Sequence, residues 1–395
     1  MTFGELKKLE FADITSIVLL LIAFLPSQII KREKKNIWLL CERVKIADDN
    51  AWIFYHWLRQ NHPEIPAYFV LHKDAPNFKS DDRHMLRWGS LRHYIYYLAS
   101  MTYIMATFNT PAPNGRVFQY YNSIFRRKYD KVYLKHGVTL SGMEEHRYEL
   151  HHFKLYLCGA KPEYDFVLKE GGYPPENVKY TGFARFDELL ENKCDKRFIL
   201  LIPTWRKYIG CDHSLSNSEN ELVFKESDYY KRYSSILRNP ILIDFLERTQ
   251  LKLRFCLHAE YRKFEKFFSS TSKWVEIVPL SESIHELLYS NSLLITDYSS
   301  VAFDSAYVEK PIIYYHFDYN SFRSKHLSEG YFDFERDGFG PIVNNEKKLI
   351  ELIINEWDGQ TFVMPDKYKL RKNKFFTYHD AHNCERIYSE IKKLM

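Results

Sequence analysis

Residues 293–310 read LLITDYSSVAFDSAYVEK and join a strand pattern to a helix pattern. The apolar run at 293–296 is typical of a buried strand, and Asp and Ser often begin helices. A helix N-terminus presents free backbone N–H groups at the positive end of the helix dipole, which suits phosphate. The hydroxyls of Ser299 and Ser300 would add neutral donors to such a site. A simpler interpretation also fits, in which one of these serines only caps the helix.

The same order of strand and helix recurs along most of the chain. Apolar segments that predict strands lie at 37–41, 67–71, 103–108, 131–134, 155–158 and 178–181, and then at 198–202, 251–257, 275–278, 293–296 and 311–315. Helix patterns between many of them are typical of α/β proteins with parallel sheets. We therefore predict two α/β domains, at 36–184 and 185–395, with the last helix available to pack back on the first domain.

Polar side chains follow four of these predicted strands. They are His136, Arg206, His258 and Asp297. Ligands of parallel α/β sheets bind beyond the carboxyl ends of the strands, so the pattern predicts that these side chains meet at one site. Taken singly, each has an ordinary structural interpretation, such as a surface ion pair for the arginine or a structural hydrogen bond for a histidine.

The composition excludes several classes of protein. The chain has 395 residues, of which 45% are hydrophobic and 27% charged, and this excludes disorder over most of its length. The net charge of +5 is too small to predict nucleic-acid binding. Six cysteines with no C-x-x-C pair argue against a zinc site or a disulfide framework and favour a reducing cytosol.

Motifs of several other enzyme classes do not occur in the sequence. It has no G-x-x-x-x-G-K-[ST], no well-placed G-x-G-x-x-G, no H-E-x-x-H, no D-x-D metal pair and no G-x-S-x-G. These observations argue against ATP hydrolysis, dinucleotide redox chemistry, zinc hydrolysis and serine hydrolysis. We predict neither a bound metal ion nor a cofactor.

The N-terminal segment, residues 1–35, is apolar and then basic. Residues 14–30 read ITSIVLLLIAFLPSQII, and KREKK follows at 31–35. A secretory signal would carry its basic residues first, and Pro26 interrupts the run that a membrane-spanning helix needs. We favour a helix that lies on the cytoplasmic face of the cell membrane, with the basic residues near anionic lipid. A buried helix of the first domain and a true span are the alternatives.

Four segments between residue 130 and the C-terminus form a set. They are KHGVT at 135–139, TGFARFD at 181–187, PTWR at 203–206 and TDYSS at 296–300, which continues to Phe303 and Asp304. In this order they resemble the motifs of the CDP-glycerol glycerophosphotransferase family, the teichoic acid primases and polymerases and related capsule enzymes. The flanks of His136-Gly137 differ from the family's usual Trp-His-Gly-Thr-Pro, so the polyol and the acceptor stay open.

The resemblance implies a fold and a reaction. The fold is two Rossmann-like domains of the glycosyltransferase-B type, with a cleft between them and the donor nucleotide on the C-terminal domain. The reaction moves a polyol phosphate, with glycerol phosphate preferred, from a CDP-polyol to a hydroxyl of a lipid-linked or polymer acceptor in teichoic acid or capsule synthesis, and CMP leaves. The alternatives are ribitol phosphate transfer, a sugar-nucleotide glycosyltransferase, and a non-catalytic membrane-surface scaffold that binds anionic polymer through basic runs at 126–128 and 367–374.

The resemblance also implies roles for individual residues. His136 is expected to be the base, and His258 a second catalytic group that contacts the diphosphate. Lys135 and Gly137 are expected on the acceptor side. The residues expected to bind or support the donor are Thr204, Arg206, Pro279, Ser283, Asp297, Ser299, Ser300 and Asp304, with the loop at 278–280 and Ser283 beside the cytosine.

Overall fold

The computed structural model of the protein describes residues 10–108, 111–191, 197–212, 214–279, 282–326 and 328–395. These residues form two domains, each built on a parallel sheet with helices on both faces. The predicted fold class is therefore confirmed. Cys194 and Leu280 lie outside the described residues.

The first domain has a seven-stranded sheet. Its strands are β1 (Trp38–Cys41), β2 (Ala67–Leu71), β3 (Met85–Arg87), β4 (Thr102–Met105), β5 (Asp130–Tyr133), β6 (Leu155–Cys158) and β7 (Val178–Tyr180), in the spatial order β3-β2-β1-β4-β5-β6-β7. Its helices are α1 (Phe11–Glu33), α2 (Asn50–Asn61), α3 (Leu91–Ala99), α4 (Gly115–Ile124), α5 (Tyr148–His151) and α6 (Lys161–Glu170). The strand order reverses between β1 and β4, which is where such sheets open a binding crevice.

The second domain has a six-stranded sheet. Its strands are β8 (Phe198–Ile202), β9 (Lys252–Phe255), β10 (Val275–Ile277), β11 (Leu293–Thr296), β12 (Ile312–Tyr315) and β13 (Ile342–Val343), in the spatial order β10-β9-β8-β11-β12-β13. Its helices are α7 (Arg185–Glu191), α8 (Asn217–Glu226), α9 (Asp228–Ile236), α10 (Pro240–Thr249), α11 (Ile284–Ser290), α12 (Val301–Tyr307), α13 (Tyr319–Lys325), α14 (Phe334–Asp337), α15 (Glu346–Asn355), α16 (Asp366–Phe375) and α17 (Asn383–Lys392).

The central strands are buried on both faces, as their continuous apolar runs predict. Every residue of β1, β8 and β11 is buried. The order of the second sheet reverses between β8 and β11, so the loops after these two strands begin side by side at its carboxyl edge. This edge is the natural place for a ligand.

The C-terminal helix α17 crosses back to the first domain. Its residues Cys384, Ile387, Tyr388 and Ile391 belong to the same buried cluster as Trp38 of β1. The backbone N–H groups of Asn383 and Cys384 donate to the Asp187 carboxylate on α7, at 3.0 and 2.8 Å. The chain therefore closes the joint between the two domains with its own last helix.

Helix α1 is continuous from Phe11 to Glu33, so the expectation that Pro26 interrupts it is wrong. It packs on α3 and α4 with an inward face that is partly polar: Asp13 accepts from Arg116 at 2.8 Å, and Ser16 accepts from Tyr94 at 2.8 Å. Its outward face is apolar, with exposed side chains at Phe11, Ile14, Val18, Leu21, Ile22, Leu25 and Ile29. The alternative of an ordinary buried helix is therefore wrong.

Candidate active site

A cleft of about 260 Å³ lies between the carboxyl ends of the two sheets. Both domains contribute polar side chains to its walls. They are Glu42, Arg43, Asp48, Asp49, Thr107 and His136 from the first domain, and Arg185, His258, Arg262, Glu282, His285, Ser299, Ser300 and Asp304 from the second. The structure thus brings together the two histidines and the two serines that the sequence singled out.

His136 lies on a loop whose backbone is held from several sides. Lys135, with a left-handed φ of 63°, precedes it. The Lys135 carbonyl accepts from Asn50 Nδ2 at 2.7 Å, and the His136 carbonyl accepts from Arg185 Nη1 at 2.8 Å. These contacts leave the imidazole of His136 exposed to the cleft.

Lys135 does not face the cleft, which contradicts its expected place on the acceptor side. Its side chain is 1% exposed and points into the first domain, where the ammonium pairs with Glu163 and donates to Thr139 Oγ1. Glu163 also accepts from the Thr139 and Gly159 backbone N–H groups, at 2.6 and 2.8 Å. A buried charge is tolerated when it is paired and hydrogen-bonded in this way. Lys135 therefore shapes the loop that carries His136.

The pKa of His136 lies below its ordinary value. The main cause is the loss of hydration between the cleft walls, which disfavours the imidazolium. The Asp49 carboxylate raises the pKa, whereas Arg185 and Arg43 lower it. His136 is therefore neutral at neutral pH and able to accept a proton.

His258 faces the same cleft from the second domain, at the start of the 3₁₀ helix Ala259–Phe267. Burial and the positive charge of Arg43 lower its pKa to about 4, so it is neutral at neutral pH. Its Nδ1 accepts from the Glu260 backbone N–H at 3.3 Å, which assigns the hydrogen of the neutral ring to Nε2. His258 therefore presents a neutral N–H donor.

Gly137 and Ser300 lie in contact where the two domains approach each other. A Cβ at Gly137 would sit 2.6 Å from Ser300 Oγ, so only glycine fits at this position without a shift. Gly137 is expected on the acceptor side, and in the structure the serine hydroxyl occupies the space beside it. Ser300 does not cap helix α12 with its side chain, while Ser299 Oγ accepts from the Val301 N–H at 3.4 Å.

Arg206 and Asp297, both expected to bind or support the donor, lie behind the cleft, and Arg206 has no exposed surface with which to contact a diphosphate. The guanidinium is fully buried and donates to Asp297 at 2.9 Å, to Asp318 at 2.7 and 3.0 Å and to the Thr204 carbonyl at 2.6 Å. Asp297 also accepts from the Thr204 N–H at 2.8 Å. Arg206, Asp297 and Asp318 thus connect the loops after β8, β11 and β12 to one another. Their role is to support the cleft from behind.

Asp304 lies at the cleft wall but is committed to Arg185. The Arg185 guanidinium forms a bidentate salt bridge with the two carboxylate oxygens of Asp304, at 2.5 and 3.0 Å. The Asp304 side chain is 2% exposed. Asp304 was expected to bind or support the donor. Because both of its oxygens are bonded to Arg185, the structure does not support a direct contact with the donor.

Residues 23–393 match the family CDP-Glycerol:Poly(glycerophosphate) glycerophosphotransferase. The chain belongs to this family. It is 31% identical over 374 residues to the minor teichoic acid biosynthesis protein GgaB of Bacillus subtilis (strain 168), which covers 91% of the chain and 40% of that protein.

A second relative and a solved structure are also similar to the chain. The teichoic acid poly(glycerol phosphate) polymerase of Bacillus subtilis (strain 168) is 23% identical, over 87% of the chain and 47% of that protein. The chain thus spans less than half the length of these two relatives. The solved structure of the wall teichoic acid polymerase TagF aligns with a TM-score of 0.67 at 14% identity, covering 97% of each chain, and shows the same fold.

Arg43 and Glu42 are among the residues that line the cleft without having been predicted as site residues. Arg43 follows β1 and is exposed, and its side chain has no hydrogen bond or ion pair with any residue that the structure describes. Glu42 accepts from the backbone N–H groups of Asp48, Asp49 and Trp52, at 2.6, 3.0 and 3.2 Å. Burial and the nearby Asp49 raise the pKa of Glu42 to about 8. Since both follow a predicted strand, the rule that selected His136 could have selected them.

The cytosine-side residues stay predictions. Pro279 is exposed, and Ser283 caps α11 through a long contact of 3.5 Å with the Glu286 N–H. Leu280, between them, lies outside the described residues. Within the part of the chain that the structure describes, no group of three or more His, Cys, Asp or Glu side chains is placed to hold a metal ion.

Proposed function

We propose that this chain transfers a polyol phosphate, glycerol phosphate in the first instance, from a CDP-polyol to an acceptor hydroxyl and releases CMP. The observation that carries the proposal is the cleft itself. A neutral, solvent-facing His136 on one domain stands opposite His258, Ser299 and Ser300 on the other. Family membership supports the same reaction.

In the proposed reaction these residues position the substrates and stabilise charge, and they form no covalent bond to them. The acceptor oxygen forms a bond to the phosphorus that carries the polyol, the bond from this phosphorus to the bridging oxygen breaks, and the electron pair leaves with CMP. His136 takes the acceptor proton and later returns it to water. The serine hydroxyls and the N–H of His258 would donate to the phosphate oxygens as charge develops on them.

We further propose that Arg43 supplies the positive charge that Arg206 does not. Among the arginines of the cleft that the structure describes, Arg185 is paired with Asp304 and Asp49, and Arg262 donates to Glu265 and the Val278 carbonyl. The guanidinium of Arg43 has no such partner among the described residues, and its charge acts on both His136 and His258. A guanidinium grips phosphate oxygens and stays charged at all relevant pH values.

Replacing Arg43 by alanine is therefore expected to lower kcat/KM for the CDP-polyol by about 10- to 100-fold, because a hydrogen bond to a charged group is worth about 1.5–3 kcal/mol. Lys45, an exposed cation two residues further on, gives the matched control Lys45→Ala. Steady-state kinetics of CMP release measure both variants. Equal activity of Arg43→Ala and the unmodified protein would contradict the assignment.

A donor screen tests the proposed function. The protein is incubated with CDP-glycerol, CDP-ribitol or a UDP-sugar, together with a lipid-linked or oligomeric acceptor, and the nucleotide products are separated. The proposal expects CMP from at least one CDP-polyol. A nucleoside diphosphate from the UDP-sugar, with no CMP from either CDP-polyol, would support a glycosyltransferase instead.

We also propose that α1 binds the cytoplasmic surface of the membrane without crossing it. By length and composition it is the one helix in the described ranges that is apolar enough to span a bilayer. The polar side chains of its inward face, Ser16 and Asp13, are hydrogen-bonded to α3 and α4, and crossing would break these bonds. Its exposed apolar face and the basic residues Lys31 and Arg32 suit an interfacial helix.

The double variant Leu21→Glu/Leu25→Glu is expected to weaken membrane binding by about 100-fold, because each buried leucine is worth at least about 1.5 kcal/mol. Both side chains are exposed in the structure, so the fold should persist. The measurement is co-sedimentation with vesicles of phosphatidylcholine and phosphatidylglycerol. Leu370→Glu, at an exposed leucine of the second domain, is the control. Unchanged sedimentation of the double variant would count against this proposal.

A further inference from the structure

Arg185 joins the two domains at the wall of the cleft. It is the first residue of α7 and is 3% exposed. Its Nη1 donates to Asp49 Oδ1 at 2.9 Å and to the His136 carbonyl at 2.8 Å, while Nε and Nη2 donate to Asp304. One guanidinium therefore holds the loop of the proposed base and a helix of the opposite domain.

The partners of Arg185 connect it to both sides of the proposed reaction. Asp304 lies on α12, the helix that begins directly after Ser299 and Ser300. On the other side, the Arg185 backbone N–H donates to Asn50 Oδ1 at 3.1 Å, and Asn50 Nδ2 in turn holds the Lys135 carbonyl at 2.7 Å. The two successive carbonyls of the His136 loop are thus both bonded to this assembly.

We propose that Arg185 is a positioning residue that sets the distance between His136 and the serine-bearing start of α12, and so holds the cleft in its reacting geometry. The proposal rests on the proposed function of the cleft. The contact of Gly137 with Ser300 shows how little clearance the two walls have. Small displacements of a base relative to the reacting atoms cost large factors in rate.

The shape of the arginine side chain is what this role requires. A guanidinium presents several donors in a fixed plane and reaches a carboxylate through two parallel bonds while it also donates to other acceptors. A lysine ammonium keeps the charge at one point and cannot keep all four contacts at once. The lysine variant therefore separates charge from geometry.

The first test compares Arg185→Lys with Arg386→Lys. Arg386 lies at the same joint but away from the cleft, where it donates to the Thr181 carbonyl at 3.0 Å and pairs with Asp380. We expect Arg185→Lys to lower kcat by about 100-fold with little change in the KM of the donor. We expect Arg386→Lys to keep the full kcat. Full kcat in Arg185→Lys, or equal losses in both variants, would overturn the proposal.

The second test follows the pKa of His136 by NMR and does not need turnover. The charged and titratable groups around His136 are Arg43, Asp49, Lys135, His146, Arg185 and His258. Arg185 lowers the pKa of His136 and Asp49 raises it. Arg185→Met should therefore raise this pKa, whereas Asp49→Asn should lower it. In kcat/KM profiles the acid limb should move to higher and lower pH, respectively.

An unchanged His136 titration and acid limb in the folded variants would show that the Arg185 guanidinium does not act on His136, and that result would overturn the proposal. If Arg185→Met does not fold, Arg185→Met/Asp304→Asn removes both buried charges and takes its place. The proposed function of the cleft and the positioning role of Arg185 would fail in different experiments. No CMP from any CDP-polyol would reject the proposed function, while an unmoved His136 titration would reject the role of Arg185.

Discussion

Replacing His136 by alanine is expected to lower kcat for CMP release by about 10²- to 10⁴-fold, the usual contribution of a positioned general base. The affinity for the CDP-polyol should change little, because the role proposed for His136 is toward the acceptor and not the donor. Its lowered pKa keeps the ring neutral at neutral pH, so the proton-accepting form is already populated. Few other changes to the cleft should affect the chemical step so selectively.

Calorimetry of donor binding and steady-state kinetics together test this expectation. His382→Ala, at an exposed histidine near the start of α17, is the control and should keep full activity. His258→Ala should instead weaken donor binding, because we propose that the N–H of this ring donates to the diphosphate. Equal losses of kcat and of donor affinity in His136→Ala would move His136 to the donor site.

Replacing Arg206 by methionine is expected to lower the free energy of unfolding by about 3–5 kcal/mol, the cost of leaving buried charges unpaired. The change would leave Asp297, which is fully buried, beside Asp318 without the cation between them. The loops after β8 and β11 would lose their common anchor. Arg206→Lys should recover only part of the lost stability, because an ammonium cannot make the several hydrogen bonds that the planar guanidinium makes to two carboxylates.

Chemical denaturation of the variants measures this effect. Arg248→Met is the matched control, since its pair with Asp244 is exposed on both sides and such pairs contribute about 1 kcal/mol or less. The triple variant Arg206→Met/Asp297→Asn/Asp318→Asn should regain stability relative to Arg206→Met alone. A single variant as stable as the unmodified protein would refute the supporting role of Arg206.

The strands of this fold were predictable where an apolar run fills a central position. FILLI at 198–202 became β8 residue for residue, and AYFVL at 67–71 became β2. The strands β3 and β13 were not predicted. β13 has only two residues, and in β3 only Met85 and Leu86 are apolar and buried, which is too short a run to show a pattern. Pro26 misled the prediction for α1, because a long helix packed on its neighbours tolerates one missing hydrogen bond.

The site was predictable as a location and less so as a set of contacts. The rule that ligands gather beyond strand ends placed His136 and His258 at one cleft, which the structure shows. The rule does not say which way a side chain points. Arg206 follows a strand as well, but its partner Asp318 is 112 residues further along the chain. Arg185 and Asp304 are separated by 119 residues, so no local pattern shows their pair.

The central claim is that an acceptor oxygen attacks phosphorus in this cleft with His136 as the base. Mass spectrometry of the acceptor after reaction with CDP-glycerol tests it most directly, alongside the nucleotide released. The account predicts one added glycerol phosphate unit for each CMP formed, and almost none of either with His136→Ala. An acceptor that gains glycerol without phosphorus, together with release of CDP, would contradict it.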